Sequence, residues 1–291
     1  MSNAPTDEAA SYVLVVEDEP VMNNLVAEIL RFHGFEVRGV LAGEEALDAC
    51  RRDLPQAVLL DIMLPGISGY EVCHQLKCAR QTNLVPIVML TALDRRDDRV
   101  RGIRVGADAY VTKPFEPEQL IDTVLQTVEH VRGRIASGLR GHLEIRFQSD
   151  VEYLAKVNDL LLGLYAQSPL TEKEVQEIRY CLLEMGKNAI EWGNRNDPNL
   201  LIHMQYTLSD RLLEFRIRDE GEGFDPSNVP HAARSDDPLA HTFVRQKLGM
   251  REGGFGILLS RNFMDEVAWN PKGNEVTLVK QFERTADHPE K

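Results

Sequence analysis

The chain has 291 residues, 43% of them hydrophobic and 27% charged, with a formal net charge of −13. That length allows about two domains of ~150 residues each. Lys and Arg number 15 against 21 Asp and Glu up to Arg140, and 18 against 25 beyond it, so neither half offers the basic face of a nucleic-acid-binding domain. No apolar run approaches the ~20 residues of a membrane span, Met1 to Ala10 carries no apolar signal core, and Cys50, Cys73, Cys78 and Cys181 lack zinc-ligand spacing. A cytoplasmic protein with reduced thiols and no membrane partner is the expectation.

Tyr12 to Val16 is a continuous apolar run, as in a strand buried on both faces of a parallel sheet. It stops at Glu17-Asp18-Glu19. Val21 to Phe32 reads as an amphipathic helix closed by Gly34. Strands follow at 35–41, 57–60, 85–90 and 109–111, with helices at 43–52, 69–79 and 94–105 between them. The alternation predicts an α/β domain, a doubly wound five-stranded parallel sheet with helices on both faces.

In such a sheet the chemistry gathers at the carboxyl ends of the strands. Glu17 and Asp18 leave the first strand, Asp61 the third, Thr91 the fourth and Lys113 the fifth. Three carboxylates together call for a hard cation with oxygen ligands, such as Mg²⁺. A hydroxyl and an ammonium beside them suit a phosphoryl oxygen.

These residues, with Leu-Leu-Asp61-Ile-Met-Leu-Pro65-Gly66, Leu-Thr91-Ala92 and Tyr110-Val-Thr-Lys113-Pro114-Phe115, resemble the receiver domain of bacterial two-component response regulators. The resemblance covers Ser11 to about Val131. It implies a flavodoxin-like fold in which Asp61 accepts a phosphoryl group from a histidine kinase or phosphotransfer protein. Glu17, Asp18, Asp61 and the carbonyl of Met63 would hold Mg²⁺, Lys113 would pair with the acyl phosphate, and Thr91 with Tyr110 would form the switch. The family more often has Asp at the first acidic position; the longer Glu17 arm allows it to reach a metal through water.

Beyond the receiver, Leu120, Val124, Val128, Val131 and Ile135 recur at helical spacing up to Ser137-Gly138. The pattern fits a long helix packed on its own sheet or a helical lever or dimer seam. The expected organisation is a disordered N-terminus at 1–10, the receiver at 11–131, a helical connector at 132–141, an ATP-binding kinase-like domain at 142–283 and a C-terminal tail at 284–291.

In the second half, Leu143 to Phe147 alternates as a half-buried strand and Val151 to Tyr165 is helical. Thr171 with Glu174 three residues on is a capping box that opens the next helix. That helix carries Glu184-Met185-Gly186-Lys187-Asn188-Ala189, with Glu184 and Asn188 on one face. A carboxylate there can take a proton, and the neighbouring amide oxygen can ligate Mg²⁺. Strands at 201–206 and 212–218 lead to Asp219-Glu220-Gly221-Glu222-Gly223-Phe224. Asp219 can accept a hydrogen bond from an exocyclic amine such as that of adenine, and Gly221 and Gly223 let the backbone turn sharply beside a flat base. A long segment, Asp225 to Gln246, reads as a functional loop. Arg245, Lys247 and Arg251 near its end could reach phosphates. Gly253-Gly254-Phe255-Gly256 then opens a helix to Phe263, a phosphate cradle at a helix N-terminus, and strands at 266–269 and 275–282 close an α/β sandwich with a mixed sheet.

In the order Glu-x-x-x-Asn, Asp-x-Gly-x-Gly-Phe, Gly-x-Gly, these stretches resemble the ATPase fold shared by gyrase and histidine kinases. The Glu-x-x-x-Asn-Ala-x-x-Trp form and the Phe263-Met264-Asp265-Glu266-Val267 ending resemble the anti-sigma-factor serine/threonine protein kinases. That resemblance implies ATP held with Mg²⁺ through Asn188, adenine read by Asp219, contacts from Gly221, Gly223, Arg251, Gly254 and Gly256, and Glu184 as general base toward a serine on an antagonist-type partner. The expected whole is a cytoplasmic response regulator that controls a serine kinase and pairs as a homodimer. Two alternatives stand beside it. One is a non-catalytic ATP-gated module sequestering a sigma factor or antagonist. The other is an atypical histidine kinase, for which His130 and His142 lack the following acidic residue.

Overall fold

The computed structural model describes residues 12–92, 103–165, 168–224 and 255–282. The chain divides into two compact units, one of residues 1–99 and 105–137 and one of residues 100–104 and 138–291.

In the first unit β1 (Tyr12–Val16), β2 (Glu36–Val40), β3 (Ala57–Asp61), β4 (Ile87–Thr91) and β6 (Ala109–Thr112) form a parallel sheet in the order β2-β1-β3-β4-β6. The three inner strands are buried at every residue, because helices cover both faces. Two cores result. Leu14, Val16, Leu60 and Met89 pack with α2 (Gly43–Arg52) and α3 (Gly69–Cys78) residues such as Leu47 and Leu76. Val13, Val15, Leu59 and Leu90 pack with Val26 and Leu30 of α1 (Pro20–Phe32) and Leu120 and Val124 of α4 (Pro117–Ala136). Alternate residues of one strand therefore feed opposite cores, as the two-residue period requires.

The register sets where the chemistry falls. Val16 pairs with Leu60, so Glu17 and Asp61 leave adjacent strands side by side. Thr91 pairs with Thr112, and Lys113 is the next residue, its N–H donating to the Thr91 carbonyl at 2.7 Å.

Two expectations for this stretch change. A helix over 94–105 is not continuous, since Ile103–Val105 is a strand, β5, at the edge of the second sheet; residues 93–102 lie outside the described residues. The connector 132–141 is helical only to Ala136. Gly138 adopts φ 98°, a left-handed conformation that favours glycine, and β7 (Leu139–Gln148) begins at once.

The second unit is a sheet with helices against it. Its six strands run β10-β11-β9-β8-β7-β5, where β8 is Leu201–Ser209, β9 Leu212–Asp219, β10 Glu266–Trp269 and β11 Glu275–Gln281. Pairings from β7 through β8, β9 and β11 to β10 are all antiparallel. Leu143, Ile145, Phe147, Met204, Tyr206, Phe215 and Ile217 are buried on one face while their neighbours are open, the alternation of a sheet covered on one side. α5 (Val151–Tyr165) packs on α6 (Glu172–Asn188), and α6 on α7 (Gly256–Phe263).

The capping box at the start of α6 is present. Thr171 Oγ1 accepts from the Glu174 N–H at 3.3 Å, and Glu174 Oε2 accepts from the Thr171 N–H at 2.8 Å. Such a cap is worth about 1 kcal/mol to the helix. At its other end α6 continues into a π-helical turn, Ala189–Gly193. Among the described residues no helix is long and apolar enough to cross a membrane.

Candidate functional sites

At the strand ends of the first unit, the carboxylates of Glu17, Asp18 and Asp61 each offer an oxygen within 4.8 Å of the others. Glu17 is 2% exposed and Asp61 5%, while Asp18 is open to solvent. The Lys113 ammonium bridges the two buried acids, 2.6 Å from Glu17 Oε2 and 3.0 Å from Asp61 Oδ2. Burial pushes the Glu17 carboxyl above its ordinary range against the pull of Lys113, and the Asp61 charge adds to the rise. For Lys113 burial acts to lower its pKa, but hydrogen bonds and charge from Glu17 and Asp61 outweigh it and hold the ammonium above its usual value. Three clustered carboxylates with one solvent-facing member fit a hard divalent cation that keeps some of its water. The loop after β3 is drawn tightly over this end of the sheet. A side chain at Gly69 would run into the Asp61 carbonyl, and the Met63 N–H donates to Asp61 Oδ1 at 3.4 Å.

Thr91 is buried at its strand end. Tyr110 is half-buried against the α2–α3 core, its hydroxyl accepting from the Ala107 N–H at 3.4 Å. Asn23 carried no signal in the sequence and is a structural participant. Buried on α1, it donates from Nδ2 to the carbonyls of Glu17 (3.1 Å) and Val40 (2.8 Å), fixing the turn that presents the acidic pair.

In the second unit the helix face read from the sequence is present. Glu184 and Asn188 lie half-buried one turn apart at the end of α6. The first residue of α7 packs directly on Glu184: a Cβ at Gly256 would lie 2.8 Å from Glu184 Oε2. A side chain there would require the Glu184 carboxylate to shift. Lys187 Nζ lies 3.5 Å from Glu184 Oε1.

Asp219, 7% exposed, ends β9 and abuts the π turn that follows Asn188. Gly193 has no side chain, and the Asp219 carboxyl occupies the space one would take. The Gly221 N–H donates to Asp219 Oδ1 at 2.9 Å. Burial raises the Asp219 carboxyl above its usual range, opposed first by that N–H. Gly223 turns at φ 84° against the Lys272 backbone, and Lys272 Nζ donates to the Gly221 carbonyl at 2.8 Å. Glu184, Asn188, Asp219, Gly221 and Gly256 are thus gathered around the end of one helix. Arg251 and Gly254, with Arg245, Lys247, Gly253 and the 225–246 loop, lie outside the described residues.

The donor set suits a magnesium nucleotide. It comprises an amide at Asn188, a desolvated carboxylate with one oxygen already satisfied, and the N-terminal turn of α7.

Two families match the chain. Residues 13–125 match the response regulator receiver domain, and residues 147–280 match the histidine kinase-like ATPase domain. The chain belongs to the response regulators, with a receiver domain and a histidine kinase-like ATPase domain in one polypeptide. It is similar to Probable transcriptional regulator ycf27 of Guillardia theta, 42% identical over 238 residues that cover 82% of this chain and 78% of that one. It is also similar to the phosphate regulon transcriptional regulatory protein PhoB of Rhizobium meliloti, 40% identical over 127 residues, 44% of this chain and 56% of that one. The chain spans about half the length of the first curated relatives it matches. Among solved structures it is similar to the receiver domain of sensor histidine kinase PA1611 of Pseudomonas aeruginosa, 28% identical, covering 42% of this chain and 99% of that one with a TM-score of 0.38.

Proposed function

We propose that the protein accepts a phosphoryl group on Asp61 from a histidine kinase and thereby controls an ATP-dependent serine/threonine protein kinase in its C-terminal domain, directed at an antagonist-type protein. The observation that carries the kinase half is the placement of Glu184. Its carboxylate lies against the first residue of α7, at the helix end suited to phosphate, and one turn before Asn188. A base so placed can take the proton of an attacking serine hydroxyl. Asn188 would hold Mg²⁺, which offsets charge on the transferring phosphoryl group, and Asp219 would accept from the exocyclic amine of adenine. Arg251, Gly254 and Gly256 complete the proposed phosphate contacts. In the receiver, Glu17, Asp18, Asp61 and the Met63 carbonyl would hold Mg²⁺, Lys113 would meet the acyl phosphate, and Thr91 and Tyr110 would respond to it. The protein would act in the cytoplasm, as a homodimer.

Incubation of the full chain with γ-labelled ATP, Mg²⁺ and candidate antagonist proteins tests the reading. Label on a partner serine or threonine supports it, and binding of ATP without transfer to any partner overturns the kinase half. One observation favours the second reading, a nucleotide-gated module that sequesters an antagonist or sigma factor. Lys187 already engages Glu184 at 3.5 Å, so the carboxylate has a standing partner.

A further inference from the structure

Asn194 is 2% exposed, and its polar groups join three segments of the second unit. Its N–H donates to the Ala189 carbonyl at 2.8 Å, which closes the π turn behind Asn188. Its Nδ2 donates to the Leu201 carbonyl at 3.0 Å, at the first residue of β8. Its Oδ1 accepts at 2.9 Å from the N–H of Glu220, the residue after Asp219. Glu220 returns the tie, its Oε2 accepting from the Leu201 N–H at 3.0 Å.

Asp219 is held from its other side by a second buried amide. The Asp219 N–H donates to the Asn274 carbonyl and Asn274 Nδ2 donates to the Asp219 carbonyl, both at 3.0 Å. Asn274 is itself fixed by Asn270, whose Nδ2 donates to Asn274 Oδ1 at 3.0 Å. The Asp219 backbone is therefore gripped between two asparagines, with its carboxyl in the space that Gly193 leaves.

The turn that delivers Asn194 is unusual. Arg195 and Asn196 follow it with φ of 54° and 58°, two successive left-handed residues that are not glycine. Such conformations are disfavoured and persist where surrounding structure over-determines them, and π turns also concentrate at functional sites.

We infer that Asn194 is a positioning residue for nucleotide-base selection, holding the Asp219 carboxylate in register with the helix end that carries Asn188. The inference rests on the proposed role of Asp219 toward adenine. Discrimination by a single hydrogen-bonded carboxylate depends on where that carboxylate sits, and Asn194 fixes the peptide that follows it.

The test is calorimetric titration of the full chain with MgATP, MgGTP and magnesium tripolyphosphate. Wild type, Asp219→Asn, Asn194→Ala and the double variant are compared. Asn194→Ala is expected to weaken ATP by about tenfold while tripolyphosphate changes little, collapsing the ATP-to-GTP preference. In the Asp219→Asn background the same change is expected to leave the preference unaltered, because the two residues act as one unit. Equal weakening of all three ligands by Asn194→Ala would reduce it to a structural residue and overturn the inference. Lost preference in Asp219→Asn with preference intact in Asn194→Ala would overturn the inference alone. Preference unchanged in Asp219→Asn would remove the adenine reading, and the inference with it. Should Asn194→Ala fail to fold, Asn194→Ser keeps an acceptor beside the Glu220 N–H and carries the same comparison with a smaller expected loss.

Discussion

The Lys113 ammonium lies 2.6 Å from the Glu17 carboxylate, closer than its 3.0 Å approach to Asp61. Lys113 is 18% exposed at its side chain, Glu17 3% and Asp61 8%, so the cation neutralises two acids largely shielded from water. The raised Lys113 pKa means that its contribution to stability is fully present below the ordinary lysine value. It is lost only as pH rises through the raised value. At pH 7.5 the whole contribution is at stake. Lys113→Met leaves two buried carboxylates facing each other and is expected to cost about 3–5 kcal/mol in urea unfolding of the receiver. Millimolar Mg²⁺ should restore part of that, since the cation replaces the lost charge. Glu17→Gln should cost less than Lys113→Met, because burial already disfavours the Glu17 charge and the Lys113–Asp61 pair survives. The opposite ordering would mean that Glu17, not Lys113, holds this cluster together.

Asp61 is the acid at the end of the central strand, between Glu17 on one neighbour and Thr91 on the other. Asp61→Asn keeps the shape and removes the nucleophilic carboxylate. It should abolish labelling of the full chain by a small acyl-phosphate donor with Mg²⁺, as followed by intact-protein mass. A retained 80-dalton adduct would place the acceptor on another residue.

The receiver was legible because its inner strands are covered on both faces. Coverage makes each one an unbroken apolar run, and the chemistry follows directly at its end, as at Val16-Glu17 and Leu60-Asp61. The segment at Ile103–Val105 was not. Three residues with β-branched ends fit a helix turn as well as a strand, and only pairing in a sheet decides between them. The early start of β7 was hidden by Gly141, whose inward position packs close to the Tyr206 ring yet carries no apolar side chain to mark the alternation. The shared helix face of Glu184 and Asn188 could be read from their spacing, and the place of Asp219 from the strand it ends. Asn194 could not, because an asparagine in the polar run Gly-Asn-Arg-Asn-Asp looks like any turn. Its burial exists only once β8, β9 and the π turn meet.

Glu184 and Asn188 share a helix face but have separable tasks in the proposed reaction. Glu184→Ala removes the proton acceptor and should lower transfer to a protein serine by about 10²–10⁴-fold, while MgATP affinity stays within a few-fold. Asn188→Ala removes the proposed metal-ligating amide and should weaken MgATP itself. Titration of binding beside single-turnover transfer separates them. Unchanged transfer in Glu184→Ala would take this residue out of the base role.

Asp219 offers a test in which stability and binding move in opposite directions. Burial raises its carboxyl above the ordinary 3.8, so the folded protein holds this proton more readily than the unfolded chain does. Its favourable contribution is present below the unfolded value and is lost as pH rises through the folded one. At neutral pH the charged Asp219 therefore works against the fold in the absence of a ligand. Asp219→Asn keeps an oxygen for the Gly221 N–H and removes that charge. Its Tm at pH 7.5 should equal or exceed that of wild type, and the difference should shrink toward pH 4. MgATP affinity should fall about tenfold or more over the same change, since the amide no longer presents a charged acceptor to the base. A lower Tm at pH 7.5 with undiminished ATP binding would make Asp219 a structural carboxylate held in place by Asn194 and Asn274 for the sake of the fold.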